Sequence, residues 1–311
     1  MSSLADILVI DAYAPVILKK LSEHFTLHHY KDLASLAPIA PYLKAIATTG
    51  AAGVPSGIME ALPHLEIIAV NGVGTDQIDL EQAKERQIPV SVTSNMTTND
   101  VADLAIMLLM TLRRNFRYNE EYMQAGRWAS EGYPPLSRSL EEKRMGIVGF
   151  GAIGQAIARR AQASEMEVTY YSRHKRPESS CPFEPDLLKL AEWADVLTLA
   201  VPGGAATQGL VNEDVLKALG PHGVLINIAR GSVVDEDALI KALQKGTIAG
   251  AGLDVFCHEP DINPALLKLS NVTLQPHQGS ATEETRLKMG MNVVDNLLAH
   301  FTGKPLLTPL F

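Results

Sequence analysis

The segment that most constrains the fold of this chain is KRMGIVGFGAIGQAIARRAQASEMEVTYYSRHKRP, residues 143–177. A predicted strand ending at Val148 runs into three glycines in the pattern GxGxxG, and a helix and a second strand at Glu167 to Tyr171 follow. In this pattern the glycines permit a tight turn, close approach of the backbone to a pyrophosphate, and close packing of helix on strand. Free N–H groups at the helix start favour the phosphates. The residues predicted to bind a dinucleotide here are Gly149, Gly151, Ala152, Ile153 and Gly154.

The residues after the second strand indicate which dinucleotide is preferred. An NAD site usually has Asp or Glu at this point, about 20 residues beyond the glycines, to accept hydrogen bonds from the ribose. This chain has Ser172 instead, followed by Arg173, Lys175 and Arg176. Because no acid would repel a 2′-phosphate and cations that could pair with it are present, NADP(H) is predicted to be preferred, with NAD(H) possible. The alternative is an exposed basic turn without a ligand.

The order of elements predicts an α/β protein. Short β-branched runs alternate with helical patterns in the first 98 residues, which is typical of a parallel sheet. A long amphipathic helix is predicted from Val101 to Met123, with Asn99 or Asp100 as its N-cap. The segment GRWASEGYPPLSRSLEEKR that follows is polar, rich in turn residues and poor in periodicity, and is predicted to be an arm or connection.

Composition excludes several classes of protein. The 311 residues suffice for two domains, and the 46% hydrophobic and 20% charged content is typical of soluble globular proteins. A net charge of -8 gives no electrostatic footprint for nucleic acid or anionic membrane. Cys181 and Cys257 are too few and too far apart for a disulfide framework or a metal site. With no leader-like N-terminus and no apolar run of membrane-spanning length, a cytoplasmic location is expected.

Polar residues near the ends of three later predicted strands could carry chemistry. Arg230 follows VLINIA, Asp254 and Glu259 lie in AGLDVFCHEP, and His277 follows VTLQP. An arginine that holds a carboxylate, a histidine that gives a proton and a carboxylate that orients this histidine would suit reduction of a 2-oxo acid. Each also has an ordinary alternative. Arg230 could be a solvated loop residue, Asp254 a helix cap, Glu259 an exposed turn acid and His277 a capping residue. Spacing alone does not show that these residues converge.

The motifs GFGAIG, NIARGSVVDEDAL, AGLDVFCHEP and QPHQGSAT, in this order, resemble those of the D-isomer-specific 2-hydroxyacid dehydrogenases. NGVGTDQID and TTNDVADLAIMLL resemble segments of the same family, so the resemblance covers nearly the whole chain. Within the family the chain is most similar to NADP-dependent glyoxylate/hydroxypyruvate reductases and the related hydroxyphenylpyruvate reductases. The resemblance implies NAD(P)H-dependent reduction of small 2-oxo acids such as glyoxylate and hydroxypyruvate.

The resemblance also implies roles for individual residues. Arg230 falls on the family's catalytic and substrate-binding arginine, Glu259 on its glutamate and His277 on its acid/base histidine. One departure is VPGGAATQGLV, where many members have PxTxxT, which leaves the ribose contacts open. The other positions implied are Val73 and Gly74 for the substrate carboxylate, Asp254 for the nicotinamide carboxamide, and Ser172, Arg173, Thr207 and Gly279 for the cofactor.

For the architecture, the resemblance implies two Rossmann-like domains with parallel sheets, the nucleotide domain being inserted in the chain of the substrate domain. Residues 1–98 plus 288–311 are expected to form the flavodoxin-like substrate domain, and residues 99–287 the dinucleotide-binding domain, with a cleft between them. A homodimer formed through the nucleotide domain is expected. Trp128 would then either touch substrate or be buried in the dimer core.

Two alternatives to this function stay open at the level of sequence. Corepressor proteins similar to the family sense nicotinamide cofactors and bind partner peptides. Among enzymes, the alternatives are phosphoglycerate, formate and phosphite dehydrogenases. The segment TTGAAGVPSG supplies no second arginine for a substrate phosphate, which disfavours the first of these.

Overall fold

The computed structural model describes residues 3–311, in which parallel strands alternate with helices. The strands are β1 (Asp6–Val9), β2 (Thr26–His29), β3 (Leu43–Thr49), β4 (Ile67–Asn71), β5 (Val90–Ser91), β6 (Arg144–Val148), β7 (Glu167–Tyr171), β8 (Val196–Leu199), β9 (Val224–Asn227), β10 (Gly250–Leu253) and β11 (Val272–Leu274). The α-helices are α1 (Pro15–Ser22), α2 (Ile58–Ala61), α3 (Leu80–Glu85), α4 (Thr98–Arg113), α5 (Phe116–Gln124), α6 (Arg127–Glu131), α7 (Ala152–Ala163), α8 (Leu187–Trp193), α9 (Glu213–Leu219), α10 (Glu236–Lys245), α11 (Pro264–Leu267) and α12 (Glu283–Phe301).

The chain divides into two compact units. Unit 1 runs up to Thr97 and resumes from Thr282 to Phe311, and unit 2 spans Thr98–Ala281. The boundaries expected from the sequence were residues 98/99 and 287/288. Among residues 3–311, no helix has both the length and the apolar composition that crossing a lipid bilayer requires.

Unit 1 is built on a five-stranded parallel sheet in the order β2-β1-β3-β4-β5. This is the flavodoxin-like order, in which ligands bind in a crevice at the carboxyl ends of the strands, where β1 and β3 lie side by side. Helix α12 packs on β4 and α1, where its buried residues Val293 and Leu297 join one apolar cluster with Ile7, Val9 and Ala69. The C-terminal helix therefore completes a core that the first strands of the chain begin.

Unit 2 contains a six-stranded parallel sheet in the order β11-β10-β9-β8-β6-β7. The order reverses at β6, because the chain first adds β7 on one side and then β8 on the other. A reversal of this kind opens a crevice at the carboxyl edge of the sheet. The glycine-rich segment follows β6 at that point, and β9, β10 and β11 end at the same edge.

The prediction of one helix from Val101 to Met123 is wrong, because two helices occupy this segment. The first begins earlier, at Thr98, so that Asn99 and Asp100 lie inside α4 rather than cap it, and it is interrupted before α5. The break is at Asn115, which has a left-handed φ of 50°. The apolar periodicity continues across this position, and asparagine tolerates the left-handed conformation better than most residues, so the pattern carried no signal of the break.

The arm predicted after this helix contains one regular element. Helix α6 lies within GRWASEGYPP, and Arg127 and Glu131 form an ion pair of 2.7 Å across one turn of it. Such a pair at positions i and i+4 supports a short helix that has little apolar periodicity. The rest of the arm, residues 132–139, has no helix or strand.

Candidate active site

The glycine-rich segment forms a tight turn at the carboxyl end of β6. Gly149 has a φ of +96°, and a Cβ there would lie 2.5 Å from the carbonyl oxygen of Ala200. A Cβ on Gly154 would collide with the carbonyl oxygen of Gly149, whereas one on Gly151 would meet nothing within 4 Å. Gly149 is thus required by the turn, and Gly154 by the packing of the helix against it. The open space at Gly151 is what close approach of a pyrophosphate requires.

The start of α7 completes this phosphate site. Gly151 is the N-cap residue and no side chain caps the helix, so the first N–H groups, including those of Ala152 and Ile153, have no side-chain acceptor. Such N–H groups, together with the helix dipole, favour a bound anion. The residues present therefore fit the pyrophosphate of a nicotinamide dinucleotide.

The basic turn after β7 is anchored by a buried tyrosine that the sequence analysis did not single out. The Tyr170 hydroxyl accepts a hydrogen bond of 2.7 Å from the backbone N–H of Arg176, and its ring stacks on Phe150 at 3.9 Å. At the start of the turn, the Ser172 hydroxyl donates to the carbonyl oxygen of His174 at 2.6 Å. Arg173 is exposed. The turn is thus held in shape while its cations face solvent.

His277 and Glu259 form a pair at the carboxyl edge of the unit 2 sheet. The Nδ1 atom of His277 lies 2.7 Å from Oε2 of Glu259, and Oε1 accepts a hydrogen bond of 2.9 Å from the backbone N–H of Phe256. Burial raises the pKa of the Glu259 carboxyl, but these hydrogen bonds and the charges of His277 and Arg230 outweigh burial and bring the pKa below its usual value. Glu259 is therefore ionised and accepts a hydrogen bond from the Nδ1 proton. This leaves Nε2 as the ring nitrogen that can transfer a proton.

The turn that carries Arg230 is braced from inside the sheet. Asn227, the last residue of β9, is 1% exposed; its Oδ1 accepts from the N–H of Ala229 at 3.0 Å and its Nδ2 donates to the carbonyl oxygen of Arg230 at 2.9 Å. Nη1 of Arg230 donates to the carbonyl oxygen of Ala229 at 2.7 Å. A Cβ on Gly231 would collide with the backbone of Phe256. The turn after β9 and the loop bearing Glu259 are thus in backbone contact.

Asp254 fixes the turn that presents His277. Its carboxylate accepts hydrogen bonds from the N–H groups of Gln278 and Gly279 at 2.6 and 2.9 Å, and its carbonyl oxygen accepts from the N–H of His277 at 2.9 Å. His277 itself has a left-handed φ of 55°. Burial raises the pKa of the Asp254 carboxyl and outweighs the backbone hydrogen bonds that lower it. Asp254 therefore caps a turn rather than a helix, and contact with a nicotinamide stays a prediction.

Three other predicted residues follow two further strands. Val73 and Gly74 belong to the turn after β4 in unit 1, and Val73 is 45% exposed. Thr207 follows β8, and its hydroxyl donates to the carbonyl oxygen of Pro202 at 2.7 Å. Their ligand contacts stay predictions. Asn227 and Gly231 were missed in the sequence, although a polar residue ending an apolar strand just before Arg230 was a usable signal.

The described residues 3–311 contain no group of three or more His, Cys, Asp or Glu side chains that could hold a metal ion. The site consists instead of a phosphate-binding turn at β6 and an Arg, Glu and His set at the ends of later strands. These features define a nicotinamide-dependent dehydrogenase. Residues 106–279 match the family model described as "D-isomer specific 2-hydroxyacid dehydrogenase, NAD binding domain". The chain belongs to the D-isomer-specific 2-hydroxyacid dehydrogenase family, and the resemblance drawn from the motifs is confirmed.

Relatives align over the length of the chain. A 2-ketogluconate reductase of Gluconobacter oxydans is 56% identical over 310 residues, which is 100% of both chains. A hydroxyphenylpyruvate reductase of Plectranthus scutellarioides is 41% identical, covering 94% of this chain and 92% of its own. The solved NADPH-dependent glyoxylate/hydroxypyruvate reductase of Sinorhizobium meliloti, in complex with NADP and malonate, is 44% identical with a TM-score of 0.95, covering 99% of this chain and 97% of its own. The predicted fold class, two Rossmann-like α/β domains with one inserted in the other, is confirmed.

Proposed function

We propose that this protein catalyses the NADPH-dependent reduction of 2-oxo acids to 2-hydroxy acids. The observation that carries the proposal is the 2.7 Å contact between His277 and Glu259, with the charge of Arg230 close enough to lower the pKa of Glu259. The presence of Arg230, Glu259 and His277 does not by itself exclude a corepressor-like protein that senses the cofactor. Turnover therefore separates an enzyme from a corepressor-like binding protein.

Each residue of the set has one task in the proposed reaction. Arg230 binds the substrate carboxylate and keto oxygen through its planar guanidinium and polarises the ketone. His277 donates a proton from Nε2 to that oxygen, while Glu259 holds the ring by Nδ1 and stabilises its positive charge. The N–H groups of Val73 and Gly74 bind the carboxylate. NADPH, when bound, supplies the hydride to the carbonyl carbon.

The substrates that we propose are 2-ketogluconate, hydroxypyruvate and glyoxylate. The glyoxylate and hydroxypyruvate assignment rests on the sequence motifs and is supported by the Sinorhizobium reductase. Identity of 56% over the full length of a 2-ketogluconate reductase supports the larger substrate, which we expect to give the highest kcat/KM. Two sets of steady-state assays test the assignment. The first follows reduction of these three acids with NADPH, and the second follows oxidation of 3-phosphoglycerate, formate and phosphite with NADP⁺. Turnover of only the last three would refute it.

The role of Arg230 is tested by Arg230→Lys. Lysine keeps the positive charge but loses the planar fork that can hold two oxygens, so kcat/KM for each 2-oxo acid should fall about 10- to 100-fold. The loss should appear in KM as well as in kcat, because the carboxylate is held in both ground and transition states. NADPH binding, followed by fluorescence, should stay within about threefold. Wild-type kcat/KM in this variant would make Arg230 a loop residue without a catalytic role.

The cofactor preference is tested at the basic turn. Ser172→Asp would place a carboxylate where the 2′-phosphate is expected, and Arg173→Ala would remove its cation. Either change should weaken NADPH binding by about 1.5 to 3 kcal/mol, or roughly 10- to 150-fold, and affect NADH much less. Titration of both cofactors by fluorescence measures this. Lys241→Ala, which removes a positive charge from the exposed side of α10, is the control. An unchanged NADPH to NADH ratio in both variants would make the turn ordinary solvated surface.

We also propose a homodimer formed through unit 2. Large apolar side chains are exposed along α4, α5, α6 and the arm, and they include Tyr133 at 85% and Leu136 at 95% exposure. Leu136→Glu combined with Tyr133→Glu should therefore yield monomers in light scattering, because two like charges would be buried without partners. Leu267→Glu, on a separate exposed leucine, should not change the mass. A monomeric wild-type protein would contradict the proposal.

A further inference from the structure

At the carboxyl edge of the unit 1 sheet, β1 and β3 present a carboxylate and a hydroxyl side by side. Asp11 follows β1, and Oδ2 of its carboxylate accepts a hydrogen bond of 2.6 Å from the hydroxyl of Thr49, the last residue of β3. The turn from Gly50 to Gly53 after β3 contains only glycine and alanine, so no bulky side chain covers the pair from that side. Asp11 is exposed.

The backbone at Asp11 is unusual for a residue other than glycine. Its φ is +73°, in the left-handed region, and Oδ1 accepts a hydrogen bond of 2.7 Å from the N–H of Ala12. Aspartate adopts this region more readily than most residues other than glycine, and the hydrogen bond from Ala12 holds its carboxylate in place there. The geometry directs the carboxylate toward Thr49 while keeping it at the open edge.

The acceptor capacity of Asp11 is only partly used. A carboxylate has about four lone-pair positions, and Ala12 and Thr49 fill two of them. Within residues 3–311, Asp11 forms no ion pair. Since an ionised carboxylate only accepts hydrogen bonds and repels other anions, the group that it suits is a donor such as an alcohol, not the carboxylate of a substrate.

The position of the pair relative to Val73 and Gly74 sets the length of ligand that could use it. The turn of Val73 and Gly74 follows β4, and β3 separates β4 from β1 in the sheet. Two strand spacings separate β1 from β4 by about 10 Å. This is an upper bound for the turn itself, because a Cβ on Gly50, next to Thr49, would lie 3.1 Å from the carbonyl oxygen of Gly74. Five carbon–carbon bonds of about 1.5 Å carry C6 of an extended six-carbon acid about 6 Å from its carboxyl carbon. A hydrogen bond of about 2.8 Å at each end covers the remaining distance between the turn and Asp11. A two-carbon acid is too short to span this distance.

We propose that Asp11 and Thr49 form a hydroxyl subsite that selects 2-oxo acids with a polyhydroxylated chain, the sugar-acid class. This inference rests on the proposed function, since it takes the substrate carboxylate to be bound by Val73 and Gly74. Asp11 accepts hydrogen bonds from hydroxyls of the distal carbons, and Thr49 keeps the carboxylate in position. Glyoxylate, which has no distal carbon, makes none of these contacts.

The test compares substrates of different length in the same variants. Asp11→Ala and Thr49→Val should lower kcat/KM for 2-ketogluconate about 10- to 100-fold, chiefly through KM, and leave glyoxylate within about threefold. Thr49→Ser, which retains the hydroxyl, should restore most of the 2-ketogluconate activity. Glu66→Gln, at the amino end of β4, is the control for removal of a carboxylate from unit 1. Thermal unfolding of each variant checks the fold.

The outcomes separate this inference from the function on which it rests. Equal losses for both substrates, or no loss for 2-ketogluconate, would overturn the hydroxyl subsite while leaving a 2-oxo acid reductase. A wild-type enzyme that reduces glyoxylate but not 2-ketogluconate would also overturn the hydroxyl subsite and leave a 2-oxo acid reductase. A wild-type enzyme that reduces none of the 2-oxo acids would overturn both.

Discussion

Replacement of His277 by alanine should lower kcat for every 2-oxo acid about 10²- to 10⁴-fold, because no other group then gives the ketone oxygen its proton. NADPH affinity should change little, since His277 is not among the residues proposed to bind the cofactor. His277→Asn should behave similarly. Asparagine tolerates the left-handed backbone that His277 adopts, so this variant separates the lost proton donor from a distorted turn. Single-turnover kinetics with saturating NADPH measure the chemical step.

The control for this prediction is His222→Ala, at the amino end of β9 and hence at the opposite edge of the same sheet. Its kcat should stay within about twofold of the wild-type value, as is usual for surface substitutions. If His277→Asn folded normally and turned over 2-ketogluconate at the wild-type rate, another group would have to be the proton donor.

Gly231→Ala should lower kcat/KM by about 100-fold or more, although glycine 231 contacts neither substrate nor cofactor in the proposed mechanism. A Cβ at this position collides with the backbone of Phe256, and a backbone cannot turn away as a flexible side chain can. Either the turn carrying Arg230 or the loop carrying Glu259 must shift. A displacement of about 1 Å in a catalytic group can cost about 10²-fold in rate.

The matched control is Gly246→Ala, which also replaces a glycine of unit 2 but in open space. Gly246 has a φ of +69° and ends α10, so alanine there brings backbone strain without a collision. We expect it to lower the melting temperature slightly and to leave kcat/KM near the wild-type value. Equal activity losses in the two variants would show that conformational strain, and not displacement of the site, explains the effect of Gly231→Ala.

Much of unit 2 could be predicted from local sequence. The second strand of the nucleotide-binding segment was predicted at Glu167 to Tyr171, which are the bounds of β7, and the strand before it ends at Val148 as predicted. Both strands are short, apolar and bounded by glycine or polar residues, so their limits depend on neighbouring residues alone. The break at Asn115 depends on one backbone conformation that the sequence permits but does not require.

The pairing of His277 with Glu259 could not be derived from sequence spacing. The two residues lie 18 positions apart, and their contact depends on β10 and β11 being neighbours and on the turn that Asp254 holds. Resemblance to the family suggested the roles, but the geometry comes from strand order. Gly231 was missed for a related reason, since what prevents a side chain there is a segment 25 residues further along the chain.

The dependence of the unit 1 core on α12 has a consequence for biosynthesis. The strands of unit 1 leave the ribosome first, but the helix that covers β4 follows only after the 184 residues of unit 2. At roughly 5 to 20 residues per second, translation of unit 2 takes on the order of 10 to 40 s. During that interval the apolar face formed by Ile7, Val9 and Ala69 lacks its covering helix. The nascent chain should therefore bind chaperones at its amino-terminal part while unit 2, whose strands are contiguous, folds first.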